Sequence, residues 1–320
     1  MTIDSENLIS KDQLKKKRRP IEGLIVASLF IAGAISIGIT LGILWELGTQ
    51  SLLFFRDPIV SIGQFFTGTV WQPQAGTFGI WALILGTLLI TVIAMIVAVP
   101  IGLAAAIYLS EYASPRVRGF FKPVLEILVG IPTVVFGFFA VSFVTPLFRN
   151  LLGSSVVGFF NVLSAGIVVG ILIVPLISSL SEDAMAAVPR SLREAAYGLG
   201  ASKLEVSLRI VVPAAISGIA AGVVIAMSRA IGETMVVTLA AGASPRNFTL
   251  GSDSLWYILD PFQGAQTMTG YIAITASGDI SYNTIDYNSI FAIGLTLFFM
   301  TLGLNSLSRR IVKRFRQEYE

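Results

Sequence analysis

Neither cysteine nor histidine occurs in the 320 residues. A disulfide framework and any Cys/His metal site are therefore excluded, and no imidazole is available to relay protons near neutral pH. Charge is also sparse: Asp, Glu, Lys and Arg make up 13% of the chain, and the acidic residues are scattered, whereas a hard-cation site needs them clustered. Neither metal nor cofactor is expected. The chain also lacks G-x-x-x-x-G-K-[ST], and it contains no Gly-Lys pair from which such a motif could start. It holds no phosphate-cradling nucleotide loop of its own.

What the chain has in abundance is apolar side chains, 54% of all residues, with a mean hydropathy of +0.81. Runs long enough to cross ~30 Å of hydrocarbon as helices occur at 24–45, 80–109, 120–148, 159–181, 214–241 and 288–307. They predict an all-α, polytopic membrane protein of six transmembrane helices. None has the alternating pattern of a membrane barrel. The first run follows "KKKRRP" and exceeds the length of a signal-peptide core, so it reads as a retained helix behind a polar tail, residues 1–20.

The basic residues orient the bundle. With both termini cytoplasmic, the inner segments hold 18 of the 22 Lys and Arg, and the outer ones only Arg56, Arg149 and Arg246. The remaining one is Arg229. The net charge of +3 thus reflects topology, with lipid as the surrounding partner and no indication of nucleic acid. Pro100 and Pro132 fall within the second and third runs, where a kink and a cavity-lining role both remain open. No inverted repeat of hydropathy is evident, which disfavours common secondary-carrier folds. The outer connection 244–288 has no readable task.

The inner loop 182–213 is too organised for a connector. Ser191 precedes Glu194 by three residues and Ser202 precedes Glu205 likewise, so two capping boxes predict two short helices. Gly198 and Gly200 stand between them as a corner. A compact knob of this kind suits docking to a soluble protein.

The string "EAAYGLGASKLEVSLRIVVP" resembles the EAA loop of the permease subunits of bacterial ATP-binding-cassette importers, through Glu194, Ala195, Ala196, Gly200, Ile210 and Pro213. The resemblance implies a type I importer fold over 78–310, preceded by a first helix and external connection, 21–77, and followed by a cytoplasmic tail, 311–320. It implies that the loop fits a groove on a separate cytoplasmic ATPase and transmits its closure to the bundle. The chain itself would be non-catalytic.

Within that bundle, Arg229 and Glu233 lie four residues apart in an apolar run. At i and i+4 they sit one turn apart on one helix face and can neutralise each other. Each charge costs ~2.5–3.5 kcal/mol near a membrane helix centre by insertion scales. Buried ion pairs seldom stabilise better than apolar packing, so use in transport is favoured over a simple brace. A guanidinium fork matches two oxygens of a tetrahedral oxyanion. A carboxylate beside it, accepting only, favours an anion that still carries a proton, such as hydrogen phosphate over sulfate.

The wider sequence, in "FFTGTVWQPQAGTFGI", "LEILVGIPTVVFGFFA", "SLREAAYGLGAS" and "MSRAIGETMVVTLAAG", is similar to the phosphate-specific permeases of this class. That resemblance covers roughly 60–310 and implies that Arg229, Glu233 and Thr234 of the R-A-x-G-E-T motif serve phosphate passage. It implies as partners a sister permease, an ATPase dimer and an external phosphate-binding protein, all at the bacterial cytoplasmic membrane. Permeases for sulfate or molybdate, an ATP-independent anion channel or carrier, and a membrane anchor or sensor remain as alternatives.

Overall fold

The computed structural model describes residues 20–249, 251, 253–278 and 281–315. The basic cluster before Pro20 and the tail after Phe315 lie outside the described residues. Two compact units divide the chain, residues 1–49 and 50–320. In the first, helix α1 (Pro20–Arg56) begins with a stretch apolar on every side, and all side chains from Ile21 to Ile43 are exposed. Such a surface suits lipid.

In the second unit, the end of α1 joins an aromatic cluster with α2 (Ile62–Thr67) and a hairpin of β1 (Trp71–Gln72) and β2 (Thr77–Phe78). The strands are antiparallel, with Trp71 opposite Phe78. Phe54, Phe65, Trp71 and Phe78 are buried there with edge-on ring contacts.

The core is the pair α3 (Trp81–Ile107) and α7 (Val162–Ala186). Along α3, Ile90, Ala94, Ala98, Gly102 and Ala106 recur every fourth residue and are all buried, a stripe of mainly small side chains that lets membrane helices approach closely. Gly166 and Gly170 answer it on α7. Pro100 stays inside α3 without breaking it, and a turn of π pitch, Tyr108–Tyr112, ends the span.

The run 120–148 is not one helix. Amphipathic α4 (Pro115–Val129), capped by Ser114, stops at Gly130, and Pro132 caps α5 (Thr133–Phe139). The proline cannot donate to the preceding turn and excludes α backbone at the residue before it. The span itself runs from α5 through a π turn into α6 (Thr145–Leu152), residues Thr133–Leu152. Arg118 and Lys122 of α4 pair with Glu182, and Lys122 also with Asp183, at the end of α7.

The loop after α7 holds α8 (Arg190–Gly198), α9 (Lys203–Glu205), a π turn and α10 (Val212–Ala214), which bends by 71° into α11 (Ile216–Ile231). Then come α12 (Met235–Ala240), α13 (Leu255–Leu259), α14 (Met268–Ser277) and α15 (Ile285–Phe315). Among the described residues, five helices are long and apolar enough to span a membrane, and the bent pair taken as one span makes a sixth.

Candidate functional site

The expected continuous helix over 214–241 is broken at Gly232–Thr234, between α11 and α12. Glycine ends α11 as its C-cap, and Glu233 turns its side chain to the start of α12, where Oε1 accepts from the Val236 N–H at 3.3 Å. A carboxylate suits that end of a helix, where N–H groups have no intrahelical acceptor. Glu233 is consequently buried, at 6% exposure.

Arg229 does not follow it. It is exposed in the last turn of α11, and among the described residues no ion pair joins it to Glu233 or to any other carboxylate. The single-face pair expected from i,i+4 spacing therefore does not form, because the helix that would create that face ends between the two residues. Arg229 shares its side of α11 with exposed Ile225 and Gly232. Next to it, Ser228 Oγ donates to Asn305 Oδ1 of α15 at 2.8 Å.

Breaking a helix in an apolar setting frees carbonyls that need donors. Hydroxyls supply them. Thr234 Oγ1 reaches the Gly232 carbonyl at 3.3 Å, Thr238 Oγ1 the Thr234 carbonyl at 2.7 Å, and Thr269 Oγ1 the Glu233 carbonyl at 2.7 Å. Thr269 comes from the 244–288 connection, which was unreadable in the sequence. Its segment 265–269 dips into the core beside α3 and α12, with Ala265, Gln266, Thr267, Met268 and Thr269 all buried. The Ala265 N–H bonds the Ala241 carbonyl at 3.1 Å, and the Met268 N–H bonds Thr87 Oγ1 at 3.1 Å. Gly86 lets the Gln266 carbonyl pass where any side chain would collide.

Arg246 anchors the same connection. Its guanidinium donates five hydrogen bonds, to the carbonyls of Ile258, Asp260, Gln263 and Gly264. Burial pulls its pKa below the usual arginine value despite nearby Asp260.

At the opposite end of the chain's bundle, the 190–213 loop has the expected two-helix outline. Ser202 and Glu205 form the predicted capping box, Ser202 N–H to Glu205 Oε2 at 3.0 Å. Ser191 does not cap: α8 already starts at Arg190 behind Pro189, so the hydroxyl lies inside the helix. Gly200 turns the corner at φ +83°, whereas Gly198 closes α8 without a positive φ.

Glu194, Ala195 and Gly200 are exposed and Ala196 is buried. Tyr197, Leu199 and Leu204 stand out beside them, Leu199 at 90% exposure. An apolar tip on a polar knob marks a contact surface. What holds the knob in place was missed in the sequence: Arg193 donates to Glu111 Oε1 at 2.9 Å and Oε2 at 3.3 Å, and to the carbonyls of Met185 and Val188. Charge-assisted bonds from one fork to two elements fix orientation.

Residues 98–318 match the family described as "Binding-protein-dependent transport system inner membrane component". A probable ABC transporter permease protein of Bacillus subtilis, YqgH, is 33% identical over 314 residues, covering 97% of this chain and 96% of that protein. The phosphate transport system permease protein PstC of Mesorhizobium japonicum is 32% identical over 270 residues, 78% of each chain. Among solved structures, a bacterial ABC transporter importing alginate aligns with a TM-score of 0.61 at 14% identity, covering 94% of this chain and all of that one. The methionine transporter MetNI aligns at 0.53 and 16%, covering 75% and 95%. At such identities these two speak for the fold alone.

Proposed function

Because the chain belongs to the inner-membrane components of binding-protein-dependent transport systems, we propose that it is the permease subunit through which an ATP-driven importer passes inorganic phosphate. Several relatives at about 30% identity carry the phosphate permease name, and that agreement supports the substrate. The observation that carries the reading is Arg229: a guanidinium late in an apolar helix, on an open face, with no carboxylate partner among the described residues. An uncompensated cation there is costly. A passing oxyanion with matching geometry would offset that cost transiently.

In this reading, a sister permease of similar fold faces α11, and the path runs between the two. Arg229 contacts phosphate, while Glu233 and Thr234 shape the break beside it. Burial of Glu233 makes it a positioning residue for the break more than a contact for the anion. The bond-sharing threonines keep the freed carbonyls occupied, so the arginine is left to act on the substrate.

Both termini and the 190–213 loop lie on the cytoplasmic side, following the excess of Lys and Arg there. The tip formed by Ala195, Tyr197, Leu199 and Leu204 docks on an ATPase dimer. Arg193 carries the loop's displacement into α3 and α7 through Glu111 and Met185. An external phosphate-binding protein delivers the substrate at the other end.

The test is reconstitution of the chain with its sister permease and ATPase in proteoliposomes, with binding protein supplied outside. ATP-dependent uptake of phosphate in excess of sulfate is the expected result. Uptake of sulfate at an equal rate would remove phosphate as the substrate, and uptake without ATP would point to a channel or carrier.

A further inference from the structure

Between the β1–β2 hairpin, the C-terminal half of α14 and the start of α15 lies a cavity of about 530 Å³. On the orientation proposed above it opens outward. Trp71 and Tyr271 wall it, their ring centroids 5.1 Å apart and nearly perpendicular, and Gln72, Asn247 and Gln266 add amides. Among the described residues, Asp286 is the single charged side chain in this lining, and its Oδ1 is buried without a hydrogen-bond partner.

The neighbouring cation does not answer it. Arg246 lies between two lining residues in sequence, yet all five of its bonds go to backbone carbonyls at 258–264. A carboxylate in a concave site with aromatic walls and no counter-ion among the described residues is complementary to an ammonium or guanidinium group.

We propose that this cavity receives a lysine or arginine side chain of the external binding protein. The inference rests on the importer reading and names the chemistry of one docking contact. Charge complementarity argues for that occupant, and the cavity's floor gives the contact a consequence. Gln266 belongs to the buried segment 265–269, whose Thr269 holds the Glu233 carbonyl. A side chain seated against Gln266 presses on the element that positions the break in α11–α12, so docking is felt at the substrate path.

The test titrates phosphate-loaded binding protein against the reconstituted complex and reads ATPase stimulation. Asp286→Asn removes the charge. Gln72→Lys, at an exposed position on the cavity wall, supplies a resident ammonium without touching the core. Both should raise the half-stimulating concentration about tenfold or more, the scale seen when one partner of a desolvated charge pair is lost, and leave basal ATPase activity unchanged. Asp286→Lys should recover when one basic residue on the binding protein is changed to Asp. A half-stimulating concentration within twofold of the unaltered complex for both variants would overturn the proposal while leaving the importer reading intact. So would protection of the detergent-purified permease by butylammonium with an unchanged titration, which would assign the cavity to free amines. Absence of any stimulation in the unaltered complex would overturn the importer reading and the cavity proposal with it.

Discussion

Thr269 Oγ1 donates a 2.7 Å hydrogen bond to the backbone carbonyl of Glu233, 36 residues away in the chain. It fastens a connection buried from one end of the bundle to the helix break at Gly232–Thr234. The bond fixes the break, and through it the backbone between Arg229 and Glu233.

Thr269→Val should therefore impair transport without unfolding the protein. The replacement is close in shape but leaves a buried carbonyl unsatisfied, at a cost of ~1–3 kcal/mol. Phosphate uptake should fall by about tenfold in kcat/KM, and Thr269→Ser should restore it. Equal loss in both variants would show that packing of the methyl matters and the hydroxyl does not.

The Arg193–Glu111 pair predicts a different defect. Glu111 is almost wholly buried and Arg193 largely so, and removing one member of a buried pair typically costs ~3–5 kcal/mol. Glu111→Gln should loosen the 190–213 loop, which hydrogen exchange of its amides would detect, and ATPase association should weaken while the membrane bundle stays folded.

Gly200→Val should strain the corner of the same loop. At φ +83° with open space around it, the cost is conformational, ~1–3 kcal/mol, with no clash to relieve. Gly200→Asn, which tolerates this backbone better, should retain more substrate-stimulated ATPase activity than the valine variant. Equal, normal activity in both would show that the corner is not needed for transmission.

Lys122 gives a pH dependence. Burial alone would lower its pKa, but hydrogen bonds and charge from Asp183 and Glu182 outweigh that and raise it above the ordinary 10.5. A group raised in the folded state contributes stability that is complete below its unfolded value and is lost as pH rises through the folded one. Lys122→Gln should lower the melting temperature at pH 7–9, and the difference from the unaltered protein should shrink only above pH 10.5.

Much of this was legible in the sequence. Helix count, the two-helix knob and the corner at Gly200 follow from hydropathy, Ser202–Glu205 spacing and glycine conformational freedom. The recurrence of small residues at 94, 98, 102 and 106 also announces the α3 interface, although hydropathy alone hides it. Two features were misread for one reason. Apolar runs show where a chain can sit in lipid and say little about where its backbone breaks, so Gly130–Pro132 and Gly232–Thr234 were absorbed into longer helices. The partners that satisfy the second break, Thr238 and Thr269, and the anchor Arg246 act through backbone carbonyls, which leave no mark in side-chain patterns.

Separation of Arg229 from Glu233 bears on the brace alternative. If the two were a neutralising pair, Arg229→Leu with Glu233→Leu would restore what either single change removes. With no ion pair between them, the double variant should transport no better than Arg229→Leu alone. Full recovery of phosphate uptake in the double variant would reinstate the brace.

The most direct test is ATP-dependent phosphate uptake by reconstituted complexes carrying Arg229→Gln, with subunit assembly verified on the same sample. An amide keeps hydrogen bonding but lacks the charge and fork that an oxyanion meets. Uptake should fall at least about a hundredfold, in keeping with the ~2–5 kcal/mol scale of losing a desolvated charge contact, while the assembled complex is recovered in normal yield. Uptake within twofold of the unaltered complex would contradict the account.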